Sequence, residues 1–202
     1  MSSSPSELIG LEPAPGGLAL VQNLLNTWPV GCGKRPDLLA ERAAAADWLG
    51  SEGLPRAAAR ELDALRALRA GVRELVTSAH PTPLVPPAPP ECPESAVTAA
   101  AHPRELPARL VIAADGGARL APAGEGAERV ASAVWLAIAE AQQSARSPED
   151  GQWERLKLCR NPECGSAFYD RSRNNSRVWH DVATCGNAAN LRAYRERHRA
   201  AR

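Results

Sequence analysis

The sequence has no apolar run approaching the roughly 18 residues that a membrane-spanning helix requires, although 44% of its 202 residues are hydrophobic. Its first ten residues, MSSSPSELIG, lack the basic stretch and apolar core of a secretory signal. No glycine loop is built to cradle phosphate, and no nucleophile elbow is present. Acids such as Asp47, Glu52 and Asp63 read as solvated helix faces, so the expectation is a protein that is not an enzyme. Membrane partners are not expected either, and the default address is the cytoplasm. Thiols stay reduced there, so the five cysteines point to metal ligands or core positions rather than disulfides.

Periodicity and turn chemistry divide what is present. Residues 1–16 are rich in Ser, Pro and Gly and read as a flexible leader. From 17 to 147 the pattern is that of a mainly α domain with one small β-hairpin. Leu18, Val21, Leu24 and Leu25 share one side of a helix over Leu18–Leu25. Turn formers over Asn26–Pro36 break it, and Asp37 reads as the N-cap of a second helix that stops at Gly50. Pro55–Ser78 is a third helix, with an apolar stripe of Leu62, Leu65, Leu68, Val72, Leu75 and Val76. Residues 80–107 hold nine of the eighteen prolines and read as an extended insert, with one helical turn near Glu94–Ala101. Arg109–Ala113 and Ala118–Ala121, joined through Asp115-Gly116-Gly117, read as a hairpin near 109–121. Glu128–Ala145 is a fourth helix, and Ser144–Asp150 marks the boundary before a small module over 151–202.

That module carries the chemistry. Cys159 and Cys164 are separated by four residues, as are His180 and Cys185, with fifteen residues between the pairs. Zinc takes four soft or borderline donors in a tetrahedron, and two short loops supply them with little strain. Gly165 and Gly186 each follow the second ligand of a pair, where backbone amides turn back toward the thiolate. His198 is the alternative fourth ligand, but His180 keeps the symmetric spacing. Four good donors close the coordination sphere, so the site reads as one structural Zn2+ per chain. Two zinc knuckles and a terminal helix follow as its architecture. Cys32 and Cys92 have no partner at ligand spacing and read as ordinary thiols.

A net charge of +1 conceals an asymmetry: residues 151–202 carry eleven Lys/Arg against five Asp/Glu, while 1–150 carry thirteen against eighteen. A basic module on an acidic body suits a polyanion. Arg171, Arg173 and Arg177, in the loop DRSRNNSR, have the chemistry of phosphate contacts. On the last helix Arg192, Arg195, Arg199 and Arg202 recur at helical spacing on an outer stripe, with Leu191 and Tyr194 expected to pack inward. Phe168, Tyr169 and Trp179 read as packing around the metal, with a base-stacking platform as the alternative.

The segment from Trp153 to Arg199 resembles the CGNR-type zinc-finger proteins of bacteria. Leu156-Lys157-Leu158-Cys159, Phe168-Tyr169-Asp170, Ser172-Arg173-Asn174, Trp179 and Cys185-Gly186-Asn187 carry the resemblance. Two positions depart from that pattern: His180 stands where a cysteine is usual, and Ala188 replaces the signature arginine. Gly17–Gln22 with Asn26-Thr27, and Arg109–Val111 with Asp115–Gly117 and Leu120–Pro122, are similar to the ABATE stress-induced transcription-regulator domain that precedes such fingers. The resemblance implies a transcriptional regulator with DNA as partner. It leaves the N-terminal part to bind a small-molecule effector or to form a homodimer. The other reading of the same residues is a zinc-stabilised protein–protein interaction adaptor that does not bind DNA.

Overall fold

A computed structural model describes residues 4–29, 35–80, 105–144, 152–161 and 163–200. Cys32, Cys92, the turn near Glu94–Ala101, Pro162 and Arg202 lie outside the described residues. Helix α1, Leu18–Asn26, turns Leu18, Val21, Leu24 and Leu25 into the core, as their spacing predicts. Gln22, Asn23 and Asn26 are buried as well, because they bond to chain segments packed on either side of the helix.

Helix α2, Arg42–Ser51, begins well past Asp37, so Asp37 is not its cap. The carboxylate instead grips Arg69 with two bonds, at 2.6 and 2.8 Å. Helix α3, Leu62–Ala79, starts later than the expected Pro55, after a 3-10 turn over Ala59–Glu61. Its buried stripe is Leu62, Leu65, Arg69, Val72 and Val76, so a fully buried arginine occupies the middle of an apolar face. Leu68 and Leu75 are only partly buried. Besides Asp37, the Arg69 guanidinium donates to Thr27 Oγ1 at 3.1 Å and lies over the Trp28 ring, which Arg73 also faces. Burial pushes the Asp37 carboxyl up, but the bond and charge of Arg69 outweigh it and hold the group below its usual range.

Strands β1, Ala108–Ile112, and β2, Ala118–Pro122, form the expected hairpin, with Leu110 opposite Leu120. The turn needs Gly116 at φ +84°, and Asp115 Oδ1 accepts from the Gly117 N–H at 2.9 Å. Helix α4, Gly126–Gln143, packs on α1 and α3. One carboxylate serves two helix starts: Glu61 accepts from the Ala58 N–H at 2.6 Å and from the Ala127 N–H at 3.2 Å. Gly126 sits at φ +48°, which favours glycine, and a Cβ there would lie 2.2 Å from Glu61 Oε1, so a side chain would push that carboxylate off the α4 start. No helix among the described residues is long and apolar enough to cross a membrane.

Strands β3, Leu156–Leu158, and β4, Ala167–Tyr169, pair antiparallel, and helix α5, Asn187–Ala200, ends the described chain. This C-terminal part, expected as a separate module, is docked on the helices. Trp153, Leu156 and Ala167 belong to the same apolar core as α1, α3 and α4. The Asn26 amide donates to the Ala167 carbonyl at 2.9 Å and accepts from the Ala167 N–H at 2.8 Å. A side chain of α1 therefore pairs both backbone groups of a β4 residue, as a neighbouring strand would. His80, at the end of α3, bonds the Leu156 carbonyl through Nε2 at 3.1 Å.

Residues 4–16 differ from the flexible leader read from their composition. Asn26 Nδ2 donates to the buried Ser6 Oγ at 3.0 Å, and the Ala14 N–H donates to Gln22 Oε1 at 2.6 Å. Leu11 packs against the cysteine cluster. Polar side chains of α1 supply backbone partners that a Ser/Pro-rich segment cannot provide for itself, and this is why it docks.

Candidate metal centre and basic face

The β3–β4 turn holds the first ligand pair. Cys159 closes it with its N–H on the Ser166 carbonyl at 2.8 Å, and the Asn161 carbonyl accepts from the N–H of Cys164 at 2.8 Å and of Gly165 at 3.2 Å. Gly165 takes φ +66°, the left-handed conformation that turns the chain back into β4. The second pair spans the entry to α5. Asp181 caps a single wide helical turn, Val182–Gly186, by accepting from the Ala183 N–H at 2.8 Å, and Cys185 lies inside that turn. Gly186 lets Trp179 approach: a Cβ there would sit 3.2 Å from the indole ring.

These two turns bring Cys159, Cys164, His180 and Cys185 together, with one donor atom from each lying within 4.8 Å of all the others. Sulfurs about 2.3 Å from a tetrahedral zinc are about 3.8 Å apart, so the cluster fits an ion with a small contraction. The thiols are buried, and two of them have polar groups beside the sulfur. Asn161 Nδ2 points at Cys185 Sγ at 3.3 Å, and Ser166 Oγ lies 3.0 Å from Cys164 Sγ. Hydrogen bonding from Cys159 pulls the Cys164 thiol far down despite burial, helped by His180 and Ser166, while the same bond together with burial pushes Cys159 up and burial pushes Cys185 up. His180 presents Nδ1 to Cys164 Sγ at 3.4 Å. His198 is elsewhere, on the exposed side of α5 with Nδ1 on the Tyr194 carbonyl. Phe168 is buried in the cysteine cluster and Trp179 packs on it, so both pack around the metal site.

The arginines divide into two groups. Arg171 pairs with Glu12 at 2.9 Å and donates to the Pro13 carbonyl at 2.7 Å, pinning the N-terminal segment. Arg177 donates to the His180 carbonyl and lies over Phe168. Arg192 pairs with Glu163 at 2.7 Å. Two further cations are internal, which their count in the sequence does not reveal. Lys157 donates to Asp170 at 2.8 Å and to the Asn175 carbonyl at 2.6 Å, and Arg155 donates to the Asp170 and Ser172 carbonyls. The loop DRSRNNSR is thus wound around a buried Lys157–Asp170 pair. By contrast Arg173, Arg195, Arg197 and Arg199 are not buried by the body, with no ion pair among the described residues.

Helix α5 reverses one expectation. Leu191 and Tyr194 do not pack inward: they are 49% and 52% exposed. The side turned toward the body carries Ala189, Arg192 and Ala193, all half-buried. Small alanines allow close approach, and the Arg192–Glu163 pair holds that side down.

The Asp170 carboxyl responds to acid in a defined way. Burial raises its pKa, but Lys157 and the Ser172 and Arg177 donors outweigh this and bring it to about 2, from an ordinary 3.8. A depressed pKa contributes stability that is present above 3.8 and is lost as pH falls toward 2. The loss is about 2 kcal/mol. Urea unfolding midpoints measured down that range should fall more for the wild type than for Asp170→Asn; equal slopes would show that the pair is not felt.

Two family models match the chain. The one described as "Putative stress-induced transcription regulator", ABATE, spans residues 18–152, more than half of the sequence. The CGNR zinc finger spans residues 155–198 and includes all four clustered ligands. No curated protein matches the chain. The finger match and the Cys3His cluster together assign a structural zinc ion to this site.

Proposed function

Since this chain belongs to the ABATE family and ends in a CGNR zinc finger, we propose that it is a transcription regulator whose zinc-stabilised C-terminal part contacts duplex DNA. The observation that carries this reading is the set of exposed arginines on α5, Arg195, Arg197 and Arg199, none of them in an ion pair among the described residues. Cations at such spacing repel one another until an anion screens them, and phosphates do so with release of counterions. Arg173 in the loop adds a fourth cation. Arg171, Arg177 and Arg192 serve mainly to hold the finger and the N-terminal segment in place. The zinc has no catalytic part in this reading, because three thiolates and an imidazole fill a tetrahedral sphere and leave no position for a substrate.

A salt titration tests the proposal. Binding of the full chain to a random-sequence DNA duplex should weaken linearly in log–log terms, with a slope of roughly three to four for that many phosphate contacts. Arg171→Ala should leave the slope unchanged. Absence of binding at low salt would move the assignment to an adaptor that uses the same face for an acidic protein.

A further inference from the structure

We propose that α5 enters the major groove of the duplex, with the line Leu191–Tyr194–His198 on the base edges and arginines on its two flanks against the phosphates that border the groove. This rests on the DNA reading above and specifies how the site engages its partner.

The helix runs over Asn187–Ala200, about 21 Å at 1.5 Å per residue. Its main packing contact is the wide turn from which it grows, so most of its surface is free. At 100° per residue, Leu191, Tyr194 and His198 fall on one line. That line lies opposite the half-buried Ala189 and Ala193, and its residues are exposed. The Tyr194 and His198 rings pack against each other with centroids 4.0 Å apart and planes tilted by 33°, which makes this strip broad. Arg195 and Arg199 lie on one flank of it, and Arg197 lies on the other with Asn190 beside it; all four are exposed.

A weakly polar centre with cations on both sides fits a channel whose floor is neutral and whose two rims are anionic. The major groove of B-form DNA is such a channel, about 12 Å wide, and admits one α-helix. An apolar side chain such as that of Leu191 there meets thymine methyl groups. Other partners fit less well. A second copy would bring the arginines of two helices against each other, because this segment carries four arginines and one glutamate. Single strands stack successive bases along a row of rings, but Phe168 is buried and Tyr169 lies under the Arg171 guanidinium, which leaves the Tyr194–His198 pair, whose rings already pack on each other. The deep, narrow major groove of an RNA duplex excludes a helix.

Three probes test the inference on the full zinc-loaded chain: a random DNA duplex, an RNA duplex of the same sequence, and a randomised DNA pool for site selection. Arg195→Ala and Arg197→Ala, on opposite flanks, should each lower the salt slope on random DNA by about one unit. Tyr194→Ala should leave random-duplex affinity within about twofold, yet abolish the sequence enrichment that the wild type gives from the pool. All three positions are exposed, and an unchanged far-UV spectrum establishes that each variant is folded. Wild-type binding that survives all three changes overturns the groove assignment while leaving DNA as the partner. The groove assignment falls equally if only one flank matters, or if the RNA duplex binds as well as the DNA. No wild-type binding to random DNA at low salt removes the DNA reading itself.

Discussion

Chelating the zinc is expected to destabilise the helical body together with the finger, in one transition. A structural zinc contributes on the order of 10 kcal/mol in small fingers, comparable with the whole stability of an ordinary domain, about 5–15 kcal/mol. Were the finger an independent module, its loss would leave α1, α3 and α4 as they are. Here Trp153, Leu156 and Ala167 sit in the core with those helices, and Asn26 pairs both backbone groups of Ala167. Removing the metal therefore strips a covering from α1 and leaves Asn26 and Gln22 to find water. Residues 4–16 should loosen too, since Leu11 rests on the cysteine cluster and Arg171 holds Glu12. Hydrogen exchange on the chelated protein, or on Cys164→Ala, should show protection lost in β3 and β4 and reduced in α1. Unchanged protection in α1 would show that docking adds nothing to the stability of the body. Metal analysis with X-ray absorption on the intact chain should give one zinc with three sulfurs and one nitrogen.

Breaking the Asp37–Arg69 pair should be the costliest single side-chain change away from the metal. Asp37→Ala leaves a fully buried guanidinium without its carboxylate, and such a loss costs about 3–5 kcal/mol. Thr27 Oγ1 and the Trp28 ring remain beside Arg69 but supply no charge. The double variant Asp37→Leu with Arg69→Met removes both charges and keeps volume in the stripe, so it should recover most of the loss. Urea midpoints for Asp37→Leu, Arg69→Met and the double variant give the coupling directly. A cost below about 1 kcal/mol for Asp37→Ala would mean that water reaches the pair and screens it.

The ligand set, the α1 and α3 stripes and the hairpin turn are legible in the sequence because each depends on residues close together along the chain. A four-residue spacing puts two donors on one turn, a 3.6-residue period puts leucines on one face, and Asp115-Gly116 supplies its own turn geometry. Local pattern says which residues share a side, but it does not say which side meets the body. That is why the pattern places Leu191 and Tyr194 inside although they lie outside: the side of Ala189 and Ala193 faces the body, and it is held there by the pairing of Arg192 with Glu163, a residue distant in sequence. The same holds for polar partners. Asp37 has the chemistry of an N-cap, but a buried arginine elsewhere in the chain binds it more strongly than free N–H groups of α2 could. The docking of residues 4–16, the pairing of Asn26 with Ala167 and the consumption of Lys157 and Arg155 by the loop that begins at Asp170 likewise rest on contacts made only once the chain has closed. Sequence by itself determined what the metal site is made of and which segments are helical. Tertiary structure decided which charges remain free to meet a partner, because an arginine's availability depends on what has already packed against it.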